Sequence, residues 1–278
     1  MKENWLPAIL RFRPTYKDYL WGGNRLREYG KESDADKIAE SWELSCHPDG
    51  ESVIASGEFS GMTLTEFLKQ HPEAAGENCR KFDRFPVLIK LIDAHDNLSV
   101  QVHPDNEYAL EHEGEYGKTE MWYIVDAEPG AELLYGFARE VTKEEFRRSI
   151  EENTLLDIVR HVPVKKGDVF FIPAGTLHAI GKGILIAEVQ QNSNTTYRVY
   201  DYGRVGADGK PRALHIEKAL DVTHLKPMQR PEEEPPYAQN GVTVRKLSRC
   251  PYFSAKLCTI EEGAVIIDQQ DSFLHILV

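Results

Sequence analysis

Seven short segments rich in β-branched and aromatic residues follow one another between turn formers over residues 85–203. They read "FPVLIKLID" (85–93), "NLSVQVHP" (97–104), "EMWYIVDA" (120–127), "AELLYGFA" (131–138), "DVFFIPA" (168–174), "ILIAEVQQ" (184–191) and "TTYRVYDYG" (195–203). Such a run is the signature of many short antiparallel strands, as in a sandwich or small barrel, and it sets the class as mainly β. Helical periodicity accompanies it only locally, in "TLTEFLKQHPEAAG" (63–76), "TKEEFRRSIEENTLLDIVR" (142–160) and "LHIEKALDV" (214–222). In the second of these, Thr142 and Glu145 have the spacing of a capping box. Short helical insertions therefore decorate a β core.

After residue 225 the texture changes. "KPMQRPEEEPPYAQNG" (226–241) is rich in proline and acid, has no apolar period, and reads as a linker. Residues 241–278 alternate as strands again and stop inside an apolar run, which leaves strand edges in need of partners. The expected organisation is a first unit over 1–225, a linker over 226–240, and a second, smaller, incomplete β unit over 241–278. A chain of 278 residues is long enough to bury a sizeable core in either unit arrangement.

Several function classes are disfavoured. The N-terminal "MKENWLPAILRFRPTYKDYLWGG" has an apolar run of only a few residues, broken by arginines and prolines, so neither a signal peptide nor a membrane span is expected. A cytoplasmic protein with no membrane partner follows. The four cysteines, Cys46, Cys79, Cys250 and Cys258, form no CxxC cluster and read as reduced thiols. A formal net charge of -12 argues against nucleic acid as a partner, because a phosphate backbone needs a basic stripe. A small phosphorylated ligand stays compatible, since two or three cations focused in one pocket suffice.

In "SVQVHPD", Ser99, Gln101 and His103 are two apart, so on a strand all three look to one face. Glu120 opens a later strand segment, seventeen residues after His103, and a short connection can set the two side by side. His178 follows a proline-glycine turn after another strand. Two imidazoles and one carboxylate, with the neutral amide of Gln101 as a fourth donor, suit a borderline divalent ion such as zinc, with a position left for substrate. His47 and His95 read as locally hydrogen-bonded or solvated, and His112, His161, His215, His224 and His275 have no partner at a metal-binding spacing.

Gly167, Pro173, Gly175 and His178 fit the pattern G-x5-P-x-G-x2-H, which resembles the second metal motif of the cupin barrels. "QVH" followed by Glu120 resembles the first, with a widened gap and with glutamine where many cupins have histidine. Lys182 stands where the motif usually has asparagine, a position that does not ligate. Together, "LIKLIDAHDNLSVQVHPD", "GKTEMWYIV", "GDVFFIPAGTLHAIGKG" and "EVQQNSNTTYRVYDYGR" resemble the class I mannose-6-phosphate isomerase (phosphomannose isomerase) family in its short bacterial form. "YLWGGNRL" and "IAESWELS" fit the same family, so the resemblance covers nearly the whole chain.

The resemblance implies a cupin, jelly-roll-like β-barrel with helical insertions and a second, smaller cupin-like unit. It implies reversible interconversion of mannose 6-phosphate and fructose 6-phosphate, a proton moving between C2 and C1 through a cis-enediol(ate). Position by position, it makes His103, Glu120 and His178 ligands of one Zn2+ per chain, with Gln101 a fourth. Arg198 matches the family's active-site arginine, whose permanent charge can hold enediolate or phosphate. Lys118, Ser99 and Glu188 are the expected substrate contacts. On residues alone, Arg198 also reads as a strand arginine paired with Asp201, Lys118 as a solvated lysine and Glu188 as half of a salt bridge. Ile180 stands where long-form members carry tyrosine, so substrate contacts on that side differ. The proton-transfer group is open between a water on the metal, a lysine and a carboxylate. Competing readings are another cupin phosphosugar isomerase such as a glucose-6-phosphate isomerase, a metal dioxygenase, and a non-catalytic sugar-binding cupin. Oligomeric state has no signal in the sequence.

Overall fold

Period-two alternation turns these segments into sheets with two usable faces. The computed structural model describes residues 9–206, 209–229, 234–263 and 272–277. Its early strands are Phe12–Arg13 (β1), Thr15–Lys17 (β2), Glu40–Leu44 (β3), Val53–Ile54 (β4), Val87–Ala94 (β5) and Val100–Val102 (β6). Then come Glu120–Ala127 (β7), Glu132–Phe137 (β8), Val159–Pro163 (β9), Val169–Ile172 (β10), His178–Ile180 (β11), Ile184–Gln191 (β12) and Tyr197–Tyr200 (β13). Tyr237–Gln239 (β14), Val242–Arg249 (β15) and Ser254–Ile260 (β16) follow. The helices are Leu64–Gln70 (α1), Asn106–His112 (α2), Lys143–Glu151 (α3) and Ile216–Val222 (α4).

A six-stranded antiparallel sheet, β10-β7-β12-β5-β3-β2, faces a five-stranded one, β13-β6-β11-β8-β9. Between them lies an apolar layer in which Ile92, Trp122, Ile124, Phe170 and Ile186 of the first meet Leu133, Tyr135 and Ile180 of the second. Tyr135 joins the layers twice: its ring meets Phe170 edge-on at 5.7 Å, and its hydroxyl donates to the Phe171 carbonyl at 2.7 Å. The outer face of the larger sheet, Leu44, Val87, Ile89 and Met121, is covered by Leu64 and Phe67 of α1 and by Phe253. Phe146 and Ile150 of α3 and Ala219 and Leu220 of α4 cover the other outer face.

The expected closed cupin barrel is therefore corrected to a mainly β fold of open sheets with helical insertions. Among the described residues no strand pairing joins the two sheets, and each keeps two edges, β10 and β2 in one and β13 and β9 in the other. Face-to-face burial of side chains does the joining instead. The G-x5-P-x-G-x2-H run dictates a turn between β10 and β11, a local geometry that a sandwich satisfies as well as a barrel.

Helix caps also depart from expectation. Thr142 caps α3 by accepting from the Glu145 amide, but the Glu145 carboxylate pairs with Arg139 instead of reaching back. The reciprocal box forms at Thr63 and Glu66 of α1. The helical pattern over 142–160 ends early because Asn153 takes a left-handed φ of 61°, and Val159 already begins β9.

Residues 237–260 form a separate three-stranded antiparallel sheet, β14-β15-β16. It packs on the larger sheet through Phe253 and Tyr252, without strand pairing to it. Residues 230–233 of the expected linker, and 264–271 and 278 of the expected terminal β unit, lie outside the described residues. Among the described residues no helix is long and apolar enough to cross a membrane.

If side-chain burial between the layers holds the sandwich, Phe170→Ala, at a position only 1% exposed, should lower unfolding stability by about 3–5 kcal/mol. A urea melt reads this directly, and an unchanged midpoint would refute the account.

Candidate metal centre and active site

The layer between the sheets is apolar at one end and polar at the other, and the strand registers set where it changes. On the larger sheet Ile186 lies opposite Ile92 and Ile124, making one apolar row. One row on, Glu188 lies opposite Lys90 and Trp122; the next places Gln190 beside Glu120. On the facing sheet Gln101 is flanked by His178 and Arg198. Ser99 and His103 share the face of Gln101 by period two.

Gly175 brings the two histidines together. Its φ of +84° suits glycine, and a Cβ there would sit 2.8 Å from the His224 ring. Its amide donates to the His103 carbonyl at 2.8 Å, tying the turn before His178 to the end of β6. The rings of His103 and His178 lie 4.8 Å apart, each 1% exposed. His103 Nδ1 hydrogen-bonds the Thr195 carbonyl and His178 Nδ1 the Thr176 carbonyl, both at 2.8 Å. A carbonyl only accepts, so each Nδ1 carries the proton and each Nε2 keeps a lone pair.

Those Nε2 atoms face the two oxygens of Glu120, His103 at 3.6 Å and His178 at 3.4 Å. Burial first, then Lys118, holds the His103 pKa well below its ordinary value. Burial lowers that of His178 to about 4. Both rings are therefore neutral near pH 7. Glu120 is fully buried, and neither of its oxygens accepts a well-formed hydrogen bond. Lys118 Nζ stands 2.9 Å from Glu120 Oε2 and 3.1 Å from His103 Nε2.

This donor set fits a divalent metal. The candidate ligand atoms of His103, Glu120 and His178 lie within 4.8 Å of one another. Ligands held at about 2.0–2.1 Å around a tetrahedral ion stand about 3.4 Å apart, close to the spacings observed. A buried carboxylate that has only the poorly aligned Lys118 ammonium beside it also has room for a second cation between it and the two Nε2 lone pairs. Gln101 reaches the group with its amide nitrogen, 3.5 Å from His178 Nε2, while its oxygen accepts from Ser99 at 3.3 Å.

Beside the triad lies a cavity of about 300 Å³ that Ser99, Gln101, Lys118, Glu188 and Arg198 all line. All the residues expected from sequence at the site thus meet in one place. Arg198 is not paired with Asp201: its guanidinium donates to Ser99 Oγ and to the Ala213 carbonyl, both at 3.2 Å. Asp201 pairs with Arg204 and Arg212 instead. Glu188 accepts from Trp122 Nε1 at 2.7 Å, and burial first, then Glu120, raises its pKa.

Sequence reasoning missed three charged groups of the cavity wall, Lys90, Glu40 and Arg212. Lys90 is buried 3.3 Å from Glu40 and 3.8 Å from Glu188, with its ammonium 4.7 Å above the Trp42 ring. Burial lowers its pKa, but Glu40 and Glu188 outweigh that and leave it raised. A lone lysine inside the apolar run "LIKLID" was the available signal, because such a cation needs buried acidic partners.

Residues 9–134 match the family model for the catalytic domain of type I phosphomannose isomerase. The chain is 44% identical over 262 residues to a mannose-6-phosphate isomerase of Streptococcus mutans, covering 93% of this chain and 81% of that one. It is 42% identical over 272 residues to mannose-6-phosphate isomerase ManA of Bacillus subtilis, covering 97% and 84%. The crystal structure of the Bacillus subtilis mannose 6-phosphate isomerase superposes with a TM-score of 0.85 at 38% identity, over 91% of this chain and 80% of that one. With 42–44% identity over more than nine tenths of its length to these isomerases, the chain belongs to the type I phosphomannose isomerase family.

Proposed function

We propose that the chain interconverts mannose 6-phosphate and fructose 6-phosphate, with one Zn2+ held by His103, Glu120 and His178, and with Gln101 as a further donor once its amide turns over to present the oxygen. The observation that carries this reading is the sealed, donor-poor Glu120 carboxylate between two neutral imidazoles, opening onto a cation-lined cavity. When bound, the ion supplies Lewis-acid polarisation of the sugar oxygens at C1 and C2. The remaining work falls to side chains.

Aldose–ketose isomerisation takes a proton from C2, passes through an enediolate, and returns a proton to C1. Arg198 cannot give up its charge, so it holds either the enediolate oxygen or the phosphate without exchanging a proton. Ser99 accepts from Arg198 Nε and fixes its direction. Lys118, 5% exposed, offers its ammonium to a developing oxyanion from the metal side. Glu188 is locked through Oε2 by Trp122, and Oε1 has no hydrogen-bond partner among the described residues. Its raised pKa moves this carboxylate toward the working range for proton exchange at Oε1.

Three outcomes are expected. Incubation with a strong chelator should abolish conversion of mannose 6-phosphate to fructose 6-phosphate, and added Zn2+ should restore it; chelator-resistant turnover would refute the metal-dependent reading. His178→Ala should lose bound zinc and activity together, read by metal analysis of the purified protein, and a full equivalent of zinc in that variant would remove His178 from the ligand set. Arg198→Ala should keep its metal but lose about 10²–10³-fold in kcat. A near-normal rate there would instead assign Arg198 a structural part.

A further inference from the structure

Glu115 lies outside the cavity wall, in the segment between α2 and β7, and its carboxylate ties two other loops to that segment. Oε1 accepts from His47 Nε2 at 3.1 Å. The Asp49 amide donates to His47 Nδ1 at 3.1 Å, which leaves the ring proton on Nε2, pointing at Glu115. Oε2 lies within 3.1 Å of Thr195 Oγ1, 3.3 Å of the Asn194 amide and 3.4 Å of Ser193 Oγ. The His47 hydrogen bond first of all holds the Glu115 pKa at about 2, so the group is an acceptor at any working pH.

Thr195 is the link to the metal centre. Its hydroxyl is bound by Glu115, and its carbonyl receives the Nδ1 proton of His103. That second hydrogen bond selects the tautomer and ring direction in which His103 Nε2 faces Glu120. Asn194 is held from the other side, its amide donating to Asp49 at 2.9 Å, so the 193–195 turn cannot shift without breaking contacts to both acids. Outer partners of a ligating histidine set its orientation and basicity.

We propose that Glu115 is a positioning residue for the metal ligand His103, acting through the Thr195 carbonyl, with His47 holding the carboxylate in place. The inference rests on the reading of His103, Glu120 and His178 as a metal site. It assigns a role to the otherwise unexplained pair of buried His47 and half-buried Glu115.

The test compares wild-type, Glu115→Ala and Thr195→Val proteins, each stripped of metal and shown by far-UV circular dichroism and urea melts to be folded at the assay temperature. Zn2+ affinity is measured by competition with a chromophoric chelator, and the visible spectrum of the Co2+-loaded protein is recorded. Glu115→Ala should weaken Zn2+ binding about 10–100-fold and alter the Co2+ bands. Thr195→Val, which keeps the carbonyl but loses the hydroxyl, should move both readouts the same way and by less. Unchanged affinity and spectrum in both folded variants, beside a wild type that binds one equivalent, overturn the positioning role alone. A wild type that binds no Zn2+ overturns the metal reading and this inference with it. If Glu115→Ala fails to fold, Thr195→Val decides by the same two readouts.

Discussion

Burying the Glu120 carboxylate between the sheets is tolerable only with positive charge against it. Stripping a carboxylate of water costs several kcal/mol even after relaxation, and here the neighbours on two sides are imidazoles that burial keeps neutral. Lys118 supplies one cation, at an angle that leaves both Glu120 oxygens without a well-formed hydrogen bond. The two Nε2 lone pairs point at the same oxygens, an arrangement that repels in the absence of an intervening cation and coordinates in its presence. The donor set therefore makes chemical sense as a metal centre and poor sense as a core network. Thr176 and Thr195 serve it by fixing tautomers, and the glycine turn serves it by joining β6 to β11.

The same layer must also hold the sandwich together, and the strands divide the two tasks by register. Ile92, Ile124 and Ile186 form a row that seals the apolar end. Two residues along each strand, Lys90, Trp122 and Glu188 form a row whose charges neutralise one another while the indole bridges to carboxylate. Trp122 belongs to both: its ring is part of the apolar cluster and its N–H anchors Glu188. Because a one-residue slip would invert every face, the hydrophobic row fixes the register of the polar one. Stability and chemistry are thus coupled along β5, β7 and β12.

What was readable from the sequence follows from which interactions are local. Period two put Ser99, Gln101 and His103 on one face, and the glycine-proline spacing placed His178 just after a turn, where it opens β11; both rules act within a few residues. The strand spans Glu120–Ala127 and Ile184–Gln191 were likewise read at their observed ends. Closure of a barrel is a property of edges distant in sequence, and the metal motif carries no information about them. The end of α3 at Glu151 depended on a single left-handed residue, Asn153, inside a pattern that otherwise continues. Glu40, Lys90 and Arg212 were missed because their partners sit on other strands or loops, and the register that brings Lys90 to Glu188 exists only once β5 and β12 pair. His47 was read as locally hydrogen-bonded or solvated; it is buried, and beside its local contact to Asp49 it bonds Glu115, 68 residues away and without a sequence signal.

The distribution of arginines shows how an acidic chain can still present a positive cavity. Asp201 accepts from Arg204 and Arg212 together, so one carboxylate neutralises two cations incompletely. Among the described residues the Arg198 guanidinium donates only to neutral oxygens, Ser99 Oγ and the Ala213 carbonyl, and burial with the nearby Arg212 makes its charge less favourable. An under-compensated guanidinium in a half-closed space gains more from an incoming anion than one already bound to a carboxylate. The net charge of -12 then works as a filter: long polyanions are repelled by the surface, whereas a single small phosphate ester meets its counter-charge within one cavity. A cluster of cations in one cavity thus suits a small phosphate ester even in a chain of acidic net charge.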